Sequence, residues 1–152
     1  MVPRMPLVFT TVGVALAAAV FGVSMSGAAS PRWTVQKFYD RETSHYFADV
    51  GAKGPSPDDI YVAQQSLTTL SGQRAGVVNG YGINLHEPFV YFHYTAALTD
   101  GTLSIENAID LRDKTQVYAI SGGTGAYTTA VGTVTVTDAG AKGSLITVRF
   151  HS

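Results

Sequence analysis

The stretch FVYFHYTAALT, Phe89–Thr99, places aromatic and titratable side chains at alternate positions. Successive side chains of an extended strand point to opposite faces. Phe89, Tyr91, His93 and Thr95 therefore share one face, and Val90, Phe92, Tyr94 and Ala96 the other. An imidazole titrates near neutral pH and can give or take a proton. A carboxylate follows soon after, beyond an Asp100–Gly101 pair that reads as a hairpin turn. With Thr99 opposite Thr102, His93 faces Ala108 and Thr95 faces Glu106. Glu106 is then diagonal to His93 on one face. His93 and Glu106 are thus catalytic candidates. Tyr91, His93, Tyr61 and Gln65 form the candidate ligand-binding set. The same alternation also fits a hydrogen-bonded core histidine, or a solvent-facing His–Glu pair on the outer wall. In that last case the opposite face, with Tyr94 and Phe92, becomes the lining. Tyr81 and Tyr127, each with an apolar body and a polar tip, fit either lining or packing.

Other chemistries lack their residues. His45, His86, His93 and His151 show no metal-ligand spacing, and cysteine is absent, so no metal site, thiolate or disulfide is expected. The glycine-rich ISGGTGAYTTAVGTVTV, Ile120–Val136, is no P-loop: Ala126 follows Gly125 and Thr133 follows Gly132, where a lysine is needed. It is no dinucleotide fingerprint either, because the third glycine is missing and a Thr/Val-rich strand follows instead of a helix. No G-x-S-x-G elbow or Ser/His/Asp constellation occurs. No cofactor is expected.

The elements that must position these side chains occupy one domain. Arg4, the uncharged apolar run Leu7–Val23 and the small residues SMSGAAS have the order of a secretory signal peptide, with cleavage after Ala28, Ala29 or Ser30. Residues 1–30 are read as that segment and 31–152 as the domain. The expected location is extracellular, with no membrane attachment after cleavage; an uncleaved anchor is the alternative. An exported domain without disulfides suggests a bacterial source. Net charge is −1 and the Lys and Arg residues are scattered, so nucleic acid is not an expected partner.

Strand signals recur at short, regular spacing after residue 31: Trp33–Phe38, Ile60–Leu70, Gln73–Leu85, Phe89–Thr99, Thr102–Ile109, Gln116–Ser121, Ala126–Thr137 and Ser144–Phe150, with a possible short strand at His45–Phe47. GAKGPSPDD, Gly51–Asp59, is a proline-fixed loop, and DAGAKG, Asp138–Gly143, the last turn. Short connections imply an antiparallel meander, and eight such strands can close on themselves and remove their edges. Gly76, Gly80, Gly82 and Gly132 inside strand patterns fit barrel corners and close backbone approach. The expected fold is all-β: a closed eight-stranded antiparallel β-barrel. Its interior is either filled or large enough for one small ligand.

DDIYVA at Asp58–Ala63, GVVNG at Gly76–Gly80, TDGTLSIEN at Thr99–Asn107 and AISGGTGAYTTAVGTVTV at Ala119–Val136, in this order, resemble the allene oxide cyclase-like barrels, relatives of the plant dirigent proteins. GAKGPSP before them resembles bacterial members. The resemblance spans Trp33–Phe150 and implies a calycin-like barrel. It does not carry over the plant activities. VQKFYD offers Gln36, Lys37 or Asp40 where plant allene oxide cyclases place a glutamate, and Gly82 stands where they have a cysteine. Asp40 matches one dirigent aspartate and joins the catalytic candidates, but Val131 stands where an arginine is expected. Bacterial polyketide cyclases of this type fold a flexible substrate inside an apolar cavity, which needs shape more than polar groups.

The expected function is an exported barrel that holds an apolar small molecule. It would act as a cofactor-free isomerase or cyclase, or as a stereo-directing protein of secondary metabolism. The alternatives are a non-catalytic lipocalin-like binder and a filled structural barrel. A homo-oligomer is compatible with all three.

Overall fold

The computed structural model describes residues 31–152; the expected signal segment, 1–30, lies outside them. Eight strands form a closed antiparallel meander, β1(Thr34–Ala48), β2(Ile60–Thr69), β3(Arg74–His86), β4(Phe89–Leu98), β5(Gly101–Asp110), β6(Thr115–Gly123), β7(Val131–Asp138) and β8(Ser144–His151), with β1 hydrogen-bonded to β8. Two single 3-10 turns, Gly125–Tyr127 and Gly140–Lys142, are the only helical turns among the described residues. Closure gives every strand a hydrogen-bonded neighbour on each side.

Three boundaries differ from the sequence reading. β1 does not stop at Phe38 but runs to Ala48, so His45–Phe47 is its continuation rather than a separate strand. Its lower half pairs with β8 (Thr34 opposite Phe150) and its upper half with β2 (Ala48 opposite Ile60), the stagger that barrel closure demands. A bulge at Glu42/Ser44 adjusts the register midway. The strand expected over Ala126–Thr137 begins only at Val131. In the β4–β5 hairpin Leu98, not Thr99, is the last paired residue, and it faces Gly101. His93 therefore lies directly opposite Glu106, and Tyr91 opposite Ala108. A shift of two residues keeps each side chain on its face.

The glycine cluster locks two turns together. The Gly125 Cα packs against the β4–β5 turn, and Gly101 leaves space for the carbonyl of Thr124. Ala126 N donates to Asp100 O (3.0 Å) and Thr124 N to Thr102 O (2.9 Å). Gly125 takes φ +59, which favours glycine. The following Tyr127 is 2% exposed and tilts against Phe150 at 5.6 Å between ring centroids, closing the lower end of the barrel. Burying such a ring contributes about 1.5–3 kcal/mol. The core runs through Leu103, Ile105, Tyr118, Ile120, Val134 and Val148.

At the upper end, which carries the β1–β2, β3–β4, β5–β6 and β7–β8 connections, the proline-rich loop is held by Asp59. This residue has no exposed surface. Its carboxylate accepts from Val50 N (2.8 Å) and Ser56 N (2.7 Å). Those donors, Ser56 first, hold its carboxyl below the ordinary aspartate range.

Candidate functional site

The inner wall encloses a cavity of about 170 Å³. An apolar cavity of roughly 150 Å³ admits a benzene-sized molecule. Its apolar lining includes Phe38, Leu67, Val78, Leu103, Ile105 and Val148. Polar side chains sit towards the upper end: Asp40 from β1, Gln65 from β2, Gln116 and Tyr118 from β6, and Ser144 from β8. Among the residues lining the cavity, Asp40 alone carries a formal charge.

Asp40 is 7% exposed and accepts a hydrogen bond from Ser144 N at 3.2 Å. Burial pushes its carboxyl above the ordinary aspartate range; the Ser144 hydrogen bonds oppose this and the negative charge of Glu42 adds to it. It forms no ion pair among the described residues. Tyr118 Oη donates to Gln116 Oε1 (3.1 Å) and meets the Tyr94 ring edge-on, with centroids 5.9 Å apart. Burial raises the phenols of Tyr94 and Tyr118, so both stay protonated across the physiological range.

Glycines in β3 shape this wall. Phe92 and Tyr94 stack at 5.4 Å with 10° between their planes. Their rings fill the positions where side chains at Gly82 and Gly80 would stand. The strand glycines noted in the sequence thus make room for inward-facing aromatics of the next strand.

Above the cavity, an open vestibule of about 330 Å³ is bounded by Tyr61, Phe92 and the Glu42–His45 pair, and shares Gln65 and Tyr94 with the cavity. His45 Nδ1 lies 2.6 Å from Glu42 Oε1. The sequence reading placed its catalytic histidine at His93 and missed this pair. The polar run DRETSH hides the middle of β1, and only the i,i+3 spacing of Glu42 and His45 across the bulge hints at their contact.

Of the residues expected at the site, Asp40 and Gln65 line the cavity and Tyr61 the vestibule. Tyr94 and Phe92, on the opposite face of β4 from His93, line the interior. Tyr91, His93 and Glu106 come together, but on the outer wall. Tyr91 Oη donates to Glu106 Oε2, and His93 Nδ1 stands 3.7 Å from the same oxygen. That hydrogen bond holds the Glu106 carboxyl below its ordinary range and pushes the Tyr91 phenol up to about 12. Tyr81 stacks on His93 from outside, at 5.7 Å. The expectation that Tyr91 and His93 contact an interior ligand is therefore corrected. The inward positions of β4 are the even-numbered ones, because its inner face must carry the apolar side chains that complete the core. Tyr127 plugs the lower end. Among the described residues, no three His, Cys, Asp or Glu side chains converge as a metal set.

Among solved structures the chain is similar to one described as pyocyanin demethylase, with a TM-score of 0.71 and 19% identity over 77% of this chain and 99% of that one. It is also similar to an exo-specific intermolecular Diels-Alderase (0.67, 16%, 81% and 99%) and to a pterocarpan synthase dirigent protein (0.61, 19%, 82% and 88%). At these identities the likeness is one of fold. No curated protein matches the chain in sequence. Residues 40–150 match the family described as allene oxide cyclase barrel like domain, in keeping with the order of the glycine motifs and the closed eight-stranded meander. The chain belongs to that family.

Proposed function

We propose that the barrel interior holds a small, largely apolar molecule and directs its rearrangement as a cofactor-free cyclase or isomerase, or as a stereo-directing protein. One observation carries this reading: a single buried carboxyl, Asp40, faces an otherwise uncharged, apolar cavity. A carboxyl raised by burial exchanges its proton nearer neutral pH, which suits it to protonate or deprotonate a bound molecule. Gln65, Gln116 and Tyr118 would orient polar atoms of that molecule. The apolar wall would hold a folded, near-attack shape and keep water away. Structural neighbours described as a Diels-Alderase and a dirigent protein support this class of chemistry. The open volume favours a ligand-holding barrel over a filled one; a lipocalin-like binder would show the same binding without turnover. Export with cleavage of residues 1–30 is part of the proposal and rests on Arg4, Leu7–Val23 and the small residues after them.

NMR titration of the protein with indole tests the interior reading. Shifts should concentrate at Gln65, Tyr94, Tyr118 and Ser144. Shifts confined to the outer wall around Tyr81 and His93, or none at all, would count against it. Mass analysis of culture supernatant should find a chain starting near Ala29–Pro31; full-length protein retained in the membrane would contradict export.

A further inference from the structure

The charge pattern of the interior is one-sided. No Lys or Arg lines either the cavity or the vestibule. The formal charges there are the carboxylates of Asp40 and Glu42, with His45 bound to the latter at 2.6 Å. Both carboxylates lie on β1, two residues apart, and each acts on the phenol of Tyr94. The basic side chains of this region turn outward. Arg41 donates to Ala141 O (3.1 Å), and Lys142 lies 4.9 Å from the centroid of the Tyr39 ring. Asp40 is thus a buried acid whose hydrogen-bond donors come from Ser144 alone, and it has no cation partner. An ionised carboxylate in that position is poorly compensated.

Aromatic rings stand among the aliphatic side chains of the walls: Phe38, Tyr94 and Tyr118 in the cavity, and Phe92 in the vestibule. Phe92 and Tyr94 lie parallel, and Tyr118 meets Tyr94 at 80°. Aromatic faces carry negative partial charge and attract a desolvated cation. A carboxylate at the head of an apolar cavity, with the rings of Tyr94 and Tyr118 beside it, suits an apolar ring bearing one positive centre. It repels an anion of the same shape.

We infer that the cavity and its vestibule select a small aromatic ammonium ion over neutral or anionic molecules of the same size, with Asp40 as counter-charge inside and Glu42 at the mouth. This rests on the reading of the interior as the binding site and adds the charge class of its ligand. The cation's partner is the ionised form of Asp40, so binding draws off the proton that burial favours. Affinity therefore rises with pH until Asp40 is ionised in the free protein. The titratable and charged groups around Asp40 are Glu42 on its own strand with His45 bound to it, Tyr94 on β4, Tyr118 on β6, and Arg41 and Lys142 on the outward side of the wall; both phenols stay neutral throughout that window.

Calorimetric titration with benzylammonium, benzyl alcohol and benzoate tests it, with NMR reporting the location. Benzylammonium should bind about tenfold or more tighter than benzyl alcohol, and benzoate weakest. Asp40→Asn should bring the ammonium and the alcohol to near parity and flatten the pH dependence of the preference. Glu42→Gln should reduce the preference less. If Asp40→Asn does not fold, the wild-type pH series decides: the ammonium preference must fall as Asp40 is protonated. Equal affinity for ammonium and alcohol inside the barrel, or a preference for benzoate, overturns the charge selectivity and leaves the binding site standing. No interior binding of any probe overturns both.

Discussion

The ring of Tyr94 occupies the space that a side chain at position 80 would need: a Cβ on Gly80 would overlap Tyr94 Cδ1 and stand 2.6 Å from the carbonyl oxygen of His93. Neither neighbour can yield cheaply, because the carbonyl belongs to the β3–β4 ladder and the ring is stacked on Phe92. Gly80→Ala should therefore destabilise the protein by about 1–3 kcal/mol, the scale of overpacking. It should also push Tyr94 towards the cavity and weaken indole binding. Urea unfolding and NMR titration of the variant check the two effects. Unchanged stability would mean that β3 and β4 can separate locally.

The sequence shows the strands where β-branched and aromatic residues alternate, and the turns where Gly, Pro and Asp cluster. The barrel closure followed from short connections and strand glycines such as Gly80 and Gly82. What it conceals is more informative about the site. The polar run from Asp40 to Ser44 interrupts the strand signal, yet β1 continues through it because pairing with both β8 and β2 requires a long, staggered strand. The two faces of β4 are both aromatic, so composition could not say which faced inward. That choice depends on the partner strands: Leu103 and Ile105 of β5 are buried, which turns Tyr94 and Ala96 inward with them.

The outer placement of His93 has a direct consequence. Its ring stacks on Tyr81 and its side chain is 31% exposed on the outer wall, so His93→Phe should keep the stacking and leave the interior untouched. Thermal unfolding and indole affinity should both match wild type, as expected for a surface substitution within about 0.5 kcal/mol. A clear loss of interior binding would require coupling through the wall of β4.

Asp59 should govern acid stability of the upper loop. Its native carboxyl is held below the ordinary range by the backbone donors of Ser56 and Val50. A carboxyl lowered in the native state binds fewer protons there than in the unfolded chain, so its contribution is complete at neutral pH. That contribution disappears as pH falls below about 4 and through the lowered native value. Asp59→Asn should lower Tm at neutral pH, and the gap to wild type should close in acid. A gap independent of pH would assign the effect to lost hydrogen-bond geometry instead of charge.

Asp40 should behave in the opposite sense. Burial raises its carboxyl, so between the unfolded value near 4 and the raised native value the folded protein binds more protons than the unfolded chain. Wild-type stability must then decline as pH rises through that interval and level off above it. Asp40→Asn removes the titrating group and the decline with it. The variant should match wild type in acid and be more stable at neutral pH by about 0.5–2 kcal/mol, the range typical when a residue kept for function is replaced by one that suits its surroundings. Urea unfolding across the pH range checks the sign. The competing contribution is the hydrogen bond from Ser144 N, which favours the charged form and would make the variant less stable at neutral pH if it outweighed burial. A more stable variant that no longer distinguishes benzylammonium from benzyl alcohol would mean that the fold keeps Asp40 at a cost to stability and for the sake of its ligand.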